Sequence, residues 1–286
     1  MRVDDLFNFM RERHQIYLNR SAGKPKPWTD DPILQKYKFT NVFRELDKHT
    51  VWLRENIREP FLDNPDMWFM CCIFRQIGWI PTIEELMSAK LHLKWDPVKA
   101  RNIMLDRQGR GETLYTGAYM LNAHGRGADD PSDKAFFTTH LVLQPLWEQR
   151  KQLRGLMHDK LQTAWGALLP VHGWGPFTAY QVVLDLLHAP GWLDGAEDRD
   201  TWAVTGPGGR RGLNRVMGRP TKQHTPPEQE LGEMLAITKE IQKRWPKGRE
   251  WGKVSIHEVE FQLCEFDKRE RARLDEGRPR SKYDGI

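Results

Sequence analysis

Five arginines and no lysine fall between Arg199 and Arg219 (Arg199, Arg210, Arg211, Arg215 and Arg219), interleaved with the glycines of "TGPGGRRGLNRVMGR". A planar guanidinium grips phosphate oxygens through two parallel hydrogen bonds, and glycine lets backbone N–H groups approach an anion, so this stretch could clamp a phosphate. A second candidate anion site is "LPVHGWGPFTAYQVVL", Leu169 to Leu184. There Gly173 and Gly175 permit a tight turn, and a helix starting at Pro176 offers free N–H groups and its positive dipole end. His172, Gly173, Trp174 and Gly175 are the residues such a turn would set against a nucleic-acid backbone. Elsewhere, Glu260, Cys264, Asp267 and Arg271 fall on one helical stripe, and Asn41, Arg44 and Asp47 lie within about a turn of one another. Taken alone, each of those two patterns is an ordinary solvated face.

The elements that must position these groups are helices. Val3, Leu6, Met10 and Tyr17 mark an accessory helix over residues 2–19. "TNVFRELDKHTVWLRENI" has a 3.6-residue apolar period that predicts one helix capped by Thr40 or Asn41. The nearly all-apolar run from Met67 to Ile80 predicts a central helix with Arg75 as its one charged residue. A buried arginine needs a partner, and both a structural ion pair with Asp47 or Glu45 and a phosphate ligand fit the sequence. Thr82 with Glu85, and Ser255 with Glu258, have capping-box spacing, and Asp96-Pro97 starts another helix. Thr113 to Met120 is β-leaning and predicts at most a small hairpin. Helices ending at Leu169 and starting at Pro176 flank the glycine turn. Residues 227–244 form a further helix with Leu231, Leu235, Thr238 and Ile241 inward.

Composition narrows the classes. A net charge of +5 and 39% hydrophobic residues suit a globular protein with a mildly favoured polyanionic partner. No window approaches a membrane span, and the charged start "MRVDDLFNFMRER" is unlike a signal peptide, so a cytoplasmic location is expected. Three cysteines, Cys71, Cys72 and Cys264, make neither a disulfide framework nor a four-ligand zinc site. The absence of Walker A and Rossmann fingerprints argues against a kinase or a nicotinamide enzyme.

The Leu169–Leu184 stretch resembles the helix-hairpin-helix of base-excision DNA glycosylases, whose catalytic aspartate follows at the place held here by Asp200. Phe177 stands where the lyase-type members carry a Schiff-base lysine. "TWAVTGPGGRRGLNRVMGR", "FTNVFRELDKHT" and "EVEFQLCEFDKRERAR" resemble a narrower group over roughly Phe39 to Arg273. This is the bacteriophage thymine-hypermodification enzymes, known as α-glutamyl/putrescinyl thymine pyrophosphorylases or amino acid:DNA transferases. The helical domain that accompanies 5-hydroxymethyluracil DNA kinases is closely related to them. The resemblance implies a mainly α, glycosylase-like fold: one helical domain over 1–275, or two helical lobes with a cleft between, and a flexible polar tail over 276–286. It implies Asp200, Glu260 and Asp267 as catalytic carboxylates. It also implies Asn41, Arg44, Asp47, Arg75, Thr116, Tyr119, Arg210, Arg211, Asn214 and Lys268 as substrate- or phosphate-binding residues.

The reaction so implied replaces a phosphate or pyrophosphate on a 5-hydroxymethyluracil base of double-stranded DNA with an amine, an amino acid such as glycine or a polyamine. The base must be flipped, the leaving group's charge neutralised by Arg210, Arg211 and the N–H groups of Gly206 to Gly209, and the amine deprotonated by a carboxylate, first Asp200. No cofactor or dedicated metal site is needed, although a divalent cation can accompany a pyrophosphate. The alternatives are a true helix-hairpin-helix glycosylase and a non-catalytic DNA-binding module. Neither the amine nor the oligomeric state is legible.

Overall fold

A computed structural model describes residues 2–117, 131–279 and 282–283, with side chains described from Lys134 onward in the second segment. In chain order the helices are α1 Val3–Ser21, α2 Pro32–Lys36, α3 Lys48–Leu53, α4 Met67–Ile77, α5 Ile80–Ser88, α6 Pro97–Gly109, α7 Pro131–Phe136, α8 Gln144–Arg154, α9 Leu161–Leu168, α10 Pro176–Leu187, α11 Pro207–Met217, α12 Pro227–Arg244 and α13 Ile256–Arg273. π-helical turns at Arg54–Arg58 and Phe137–Leu143 extend α3 and lead into α8. Among the described residues there is no β-strand, only an isolated antiparallel bridge between Tyr37 and Lys282. Residues 113–117 are not strand, and the rest of the expected hairpin, 118–120, lies outside the described residues.

The chain forms two compact units, Met1–Thr50 with Asp200–Ile286, and Val51–Arg199. In the first, α13 is central, packed against α1, α2, α11 and α12. Its start is the expected capping box: Ser255 accepts the His257 N–H, and Glu258 accepts the Ser255 N–H at 2.8 Å. The α1 helix is core rather than accessory, burying Leu6, Phe9, Met10, Arg13 and Ile16. In α12 the inward face is Glu230, Met234, Ile237, Thr238 and Ile241, one residue's rotation from the leucine stripe expected.

The glycines of α11 have a packing cause. A β-carbon on Gly208 would fall 2.3 Å from Cys264 Sγ, and one on Gly212 would fall 1.9 Å from the Leu263 carbonyl oxygen. They let the backbones of α11 and α13 meet. The expected glycine loop over 206–209 is therefore the first turn of a helix, with Gly206 as its N-cap and Pro207 at its first position.

The predicted long helix over 40–57 is broken. Backbone at Phe43 and Asp47 is extended, Arg44–Leu46 is a 3₁₀ turn, and α-helix starts only at Lys48. The Asn41 side chain donates to the Leu46 carbonyl (2.7 Å), and Asp47 Oδ1 accepts the Asn41 N–H (2.9 Å). Side-chain to backbone bonds of this kind compete with helix and here prevail. The tail is docked where it is described. Glu276 pairs with Arg215, and the Tyr283 N–H donates to the Lys36 carbonyl (3.1 Å).

In the second unit α4 is buried along its whole length and packs against α5, α8 and α10. Gly78, with φ +62°, ends it. The Thr82 capping box does not form, because Trp79 is the N-cap and Pro81 occupies the first turn. Thr82 is inside the helix and donates its hydroxyl to the Leu114 carbonyl at 3.0 Å. Asp96 does cap α6, accepting the Lys99 N–H at 3.0 Å. Helices α9 and α10 pack together and are joined by the turn 169–175, in which Gly173 has φ +83°. A β-carbon on Gly173 would meet Val142 Cγ2 at 2.4 Å, so glycine is required there twice over.

Candidate functional site

The first unit gathers most of the expected site residues. Arg13 of α1 extends Nη2 to the Phe39 carbonyl (2.8 Å) and to Asn41 Oδ1 (3.1 Å), while Gln262 of α13 donates to the Asn41 carbonyl (2.8 Å). Glu265 of α13 accepts the Thr40 N–H (3.2 Å) and pairs with Lys268 (2.5 Å). The 39–47 segment is thus latched to α1 and α13. Beside it opens a cavity of about 480 Å³ whose wall includes Arg13, Asn41, Asp47, Lys38, Lys48 and Tyr283.

Two carboxyls here have displaced pKa values. Burial pushes Asp47 up to about 6 and Glu265 adds to it, against the Asn41 N–H and the charges of Arg13 and Arg44. Burial pushes Glu260 up to about 7, offset by the Gly206 N–H (3.1 Å) and Arg44. Both therefore titrate where a general base works at neutral pH. Burial also pulls Arg13 below the usual guanidinium range. The Cys264 thiol, pushed to about 11 by burial, is no nucleophile.

The arginine run has a different use from the one its composition suggests. Arg210 forks onto Glu230 (2.5 and 3.3 Å), and Arg219 onto Glu233 (2.6 and 2.7 Å). Arg211, Arg215 and Arg271 converge on the fully buried Asp267 at 2.8, 2.9 and 3.3 Å. Arg199 donates to the Asp194 carbonyl. The anion at the N-terminus of α11 is the protein's own Glu260. The expected clamp of Arg210, Arg211 and glycine N–H groups is accordingly an internal ion-pair network tying α11 to α12 and α13. Asp267 is its hub.

The remaining expectations divide. Asp200 is exposed, and Arg210 and Arg211 hold other carboxylates. Its neighbour Asp198 caps α9, accepting the Leu161 and Gln162 N–H groups (2.7 and 2.9 Å). Buried Asn214 clamps a loop through the Thr221 and Gln223 carbonyls. Arg75 lies in the second unit as a structural ion pair, with Asp185 of α10 (2.6 and 2.5 Å) rather than Asp47 or Glu45 as partner. Thr116, also there, donates its N–H to the Ile77 carbonyl, and Tyr119 lies outside the described residues. In the glycine turn Trp174 is buried, which withdraws its ring from any backbone contact, while His172, Gly173 and Gly175 are exposed.

Two wall residues were missed by sequence reasoning. Arg13 sits three positions after Met10 on the apolar face of α1, a charged break in the stripe that marks it. Tyr283 carried no comparable signal, being one aromatic in a polar tail.

A model of the family described as "5-hmdU DNA kinase, helical domain" matches residues 1–278. The chain belongs to that family. Its match takes in Asn41, Arg44 and Asp47 as well as the α11–α13 network. A curated relative, the 5-hmdU DNA kinase of Bacillus phage SP10, is 27% identical over 235 residues, which is 74% of this chain and 36% of the relative. The chain thus spans little more than a third of that kinase's length. No solved structure matches it. Among the described residues no helix of this family member is long and apolar enough to cross a membrane.

Proposed function

We propose that this helical-domain family member acts on a phosphorylated or pyrophosphorylated 5-hydroxymethyluracil in DNA and replaces that group with an amine. The amine nitrogen attacks the 5-methylene carbon, the C–O bond breaks, and the phosphate or pyrophosphate leaves with the electron pair. The amine's proton passes to a carboxylate. Asp47 is the base favoured here. The observation that carries the reading is its place on the wall of a cationic cavity, with a pKa near 6. Glu260, equally tuned, lies beneath α11, where Gly209 leaves it no room to move, since a β-carbon there would come within 2.8 Å of its Oε1. The exposed 172–175 turn and the N-terminus of α10 are the proposed DNA-backbone contact, in the manner of a helix-hairpin-helix.

Incubating the protein with DNA bearing phosphorylated or pyrophosphorylated hydroxymethyluracil and a panel of amines, then digesting to nucleosides for mass analysis, tests this. An amine-bearing nucleoside is expected from wild type and from Asp200→Asn, and none from Asp47→Asn. Abasic sites in place of that product would mean a glycosylase. A second reading rests on the length comparison: a chain spanning 36% of a kinase relative can serve as its DNA-recognition module. It predicts DNA binding and no altered nucleoside under any donor.

A further inference from the structure

Arg13 is 2% exposed, and its side-chain acceptor is the neutral Asn41 amide. Its Nε and Nη1 are buried without an acceptor among the described residues. Leaving guanidinium donors buried and unmet is costly, so such groups are ordinarily matched by an anion. Asp47 faces Arg13 electrostatically, yet it spends Oδ1 on the Asn41 N–H.

The cavity that Arg13 lines is strongly cationic. Arg13, Arg20, Lys38 and Lys48 face a single carboxylate, Asp47. The rim cations are also held in place. The Tyr283 ring has Arg20, Lys26 and Lys38 at 5.9, 5.6 and 5.7 Å from its centroid. A π-face gathers cations without neutralising them, so their charge stays available to a ligand. A zwitterionic amine donor has no net charge to match this excess, and a singly charged phosphodiester meets it poorly. A group carrying two or more negative charges meets it well.

We propose that this cavity binds a phosphomonoester or diphosphate group, with the buried Arg13 guanidinium as anchor and Arg20, Lys38 and Lys48 as rim. Bidentate hydrogen bonding from Nε and Nη1 to two oxygens of one phosphate is the geometry a guanidinium offers. The assignment deepens the proposed reaction by giving its leaving group a place, and it rests on that reading only for the identity of the natural ligand.

Titration calorimetry of the full chain with inorganic phosphate and with pyrophosphate is the test. Both are expected to bind, pyrophosphate more tightly. Arg13→Gln should weaken pyrophosphate roughly 10- to 100-fold, the loss of a charged hydrogen-bonding partner. Because Arg13 also holds the Phe39 carbonyl, the double variant R20A/K48A at the exposed rim is the second arm. It should weaken pyrophosphate several-fold with an unchanged melting temperature. No binding of pyrophosphate at millimolar concentration, or equal affinity in wild type and R20A/K48A, overturns the site. An unmodified oligonucleotide without terminal phosphates should fail to displace pyrophosphate, and displacement overturns the assignment to a monoester or diphosphate. Amine transfer without pyrophosphate binding would sink the site and leave the reaction standing; binding without transfer would do the reverse.

Discussion

Gly212 lies so close to Leu263 that a β-carbon on it would sit 1.9 Å from that residue's carbonyl oxygen and 2.5 Å from its carbonyl carbon. The obstacle is helix backbone, which cannot rotate away as a side chain can. Gly212→Ala must push α11 off α13, and with it Arg211 and Arg215 off Asp267. Overpacking a tight interface costs about 1–3 kcal/mol, and backbone contact puts this case at or above the upper end. Denaturant melts of G212A should show it. A midpoint equal to wild type would mean the contact is not as close as described.

Arg75 and Asp185 are both buried and share two hydrogen bonds of 2.6 and 2.5 Å. Removing one partner strands the other charge, so Arg75→Ala should cost about 3–5 kcal/mol. Replacing both by apolar residues, as in R75M/D185L, should be milder than R75A alone, since no ion is then left uncompensated. If Arg75 were instead a phosphate ligand, R75A would weaken pyrophosphate binding while leaving stability alone. Measuring both quantities on R75A separates the roles.

The buried α4 was legible because eleven consecutive core positions leave a strong apolar signal, and the caps at Asp96 and Ser255 because their partners are local. The residues that come together in the first unit were legible only by resemblance. Nothing local to Asn41 announces that its carbonyl, side chain and N–H are claimed by Gln262, Arg13 and Asp47, the first 221 positions away. Composition misled at the arginine run for a physical reason. Arginine is chosen for forked pairing with carboxylates as much as with phosphates, and the sequence does not say which will be present. Glycine misled there too, since Gly208 and Gly212 serve helix approach rather than a loop.

Glu260 gives stability a pH dependence whose sign follows from its displacement. Its folded pKa of about 7 lies above the model value of 4.5, so between those values the folded state holds more protons than the unfolded one. Stability contributed by this group is therefore full below about pH 4.5, falls as pH rises, and levels above about 7. The loss is at most about 3 kcal/mol on the order-of-magnitude conversion of such a shift. Glu260→Gln keeps an acceptor for the Gly206 N–H and removes the titration. The wild-type minus E260Q difference in unfolding free energy should decline between pH 5 and 7. A flat difference would show that the carboxyl is not displaced. Asp47 adds a slope of the same sign in both proteins and cancels.

The last prediction concerns Asp47 as a base. The charged groups that act on it are Glu265 from α13, Arg13 from α1 and Arg44 from the 3₁₀ turn, with burial the largest influence. With a free-protein pKa of about 6, the proton-accepting form grows in as pH rises, so kcat/KM for amine transfer should climb through about pH 6 and then level. A multiply charged anion seated on Arg13 disfavours the ionised carboxylate beside it, so the limb in kcat, which reports the bound state, should lie at higher pH than the limb in kcat/KM. Asp47→Asn should lose transfer by about 10²–10⁴-fold, the usual range for a removed general base, and its residual rate should lack the limb. Its pyrophosphate affinity should be unchanged or tighter, because one negative charge has left the cavity. A merely structural Asp47, needed only to hold the Asn41 N–H, gives a different pattern: Asn can still accept that bond, so D47N would keep most of its rate and the wild-type profile. Equal limbs for kcat and kcat/KM would also count against this reading, since the ligand's charge would then not be adjacent to the base.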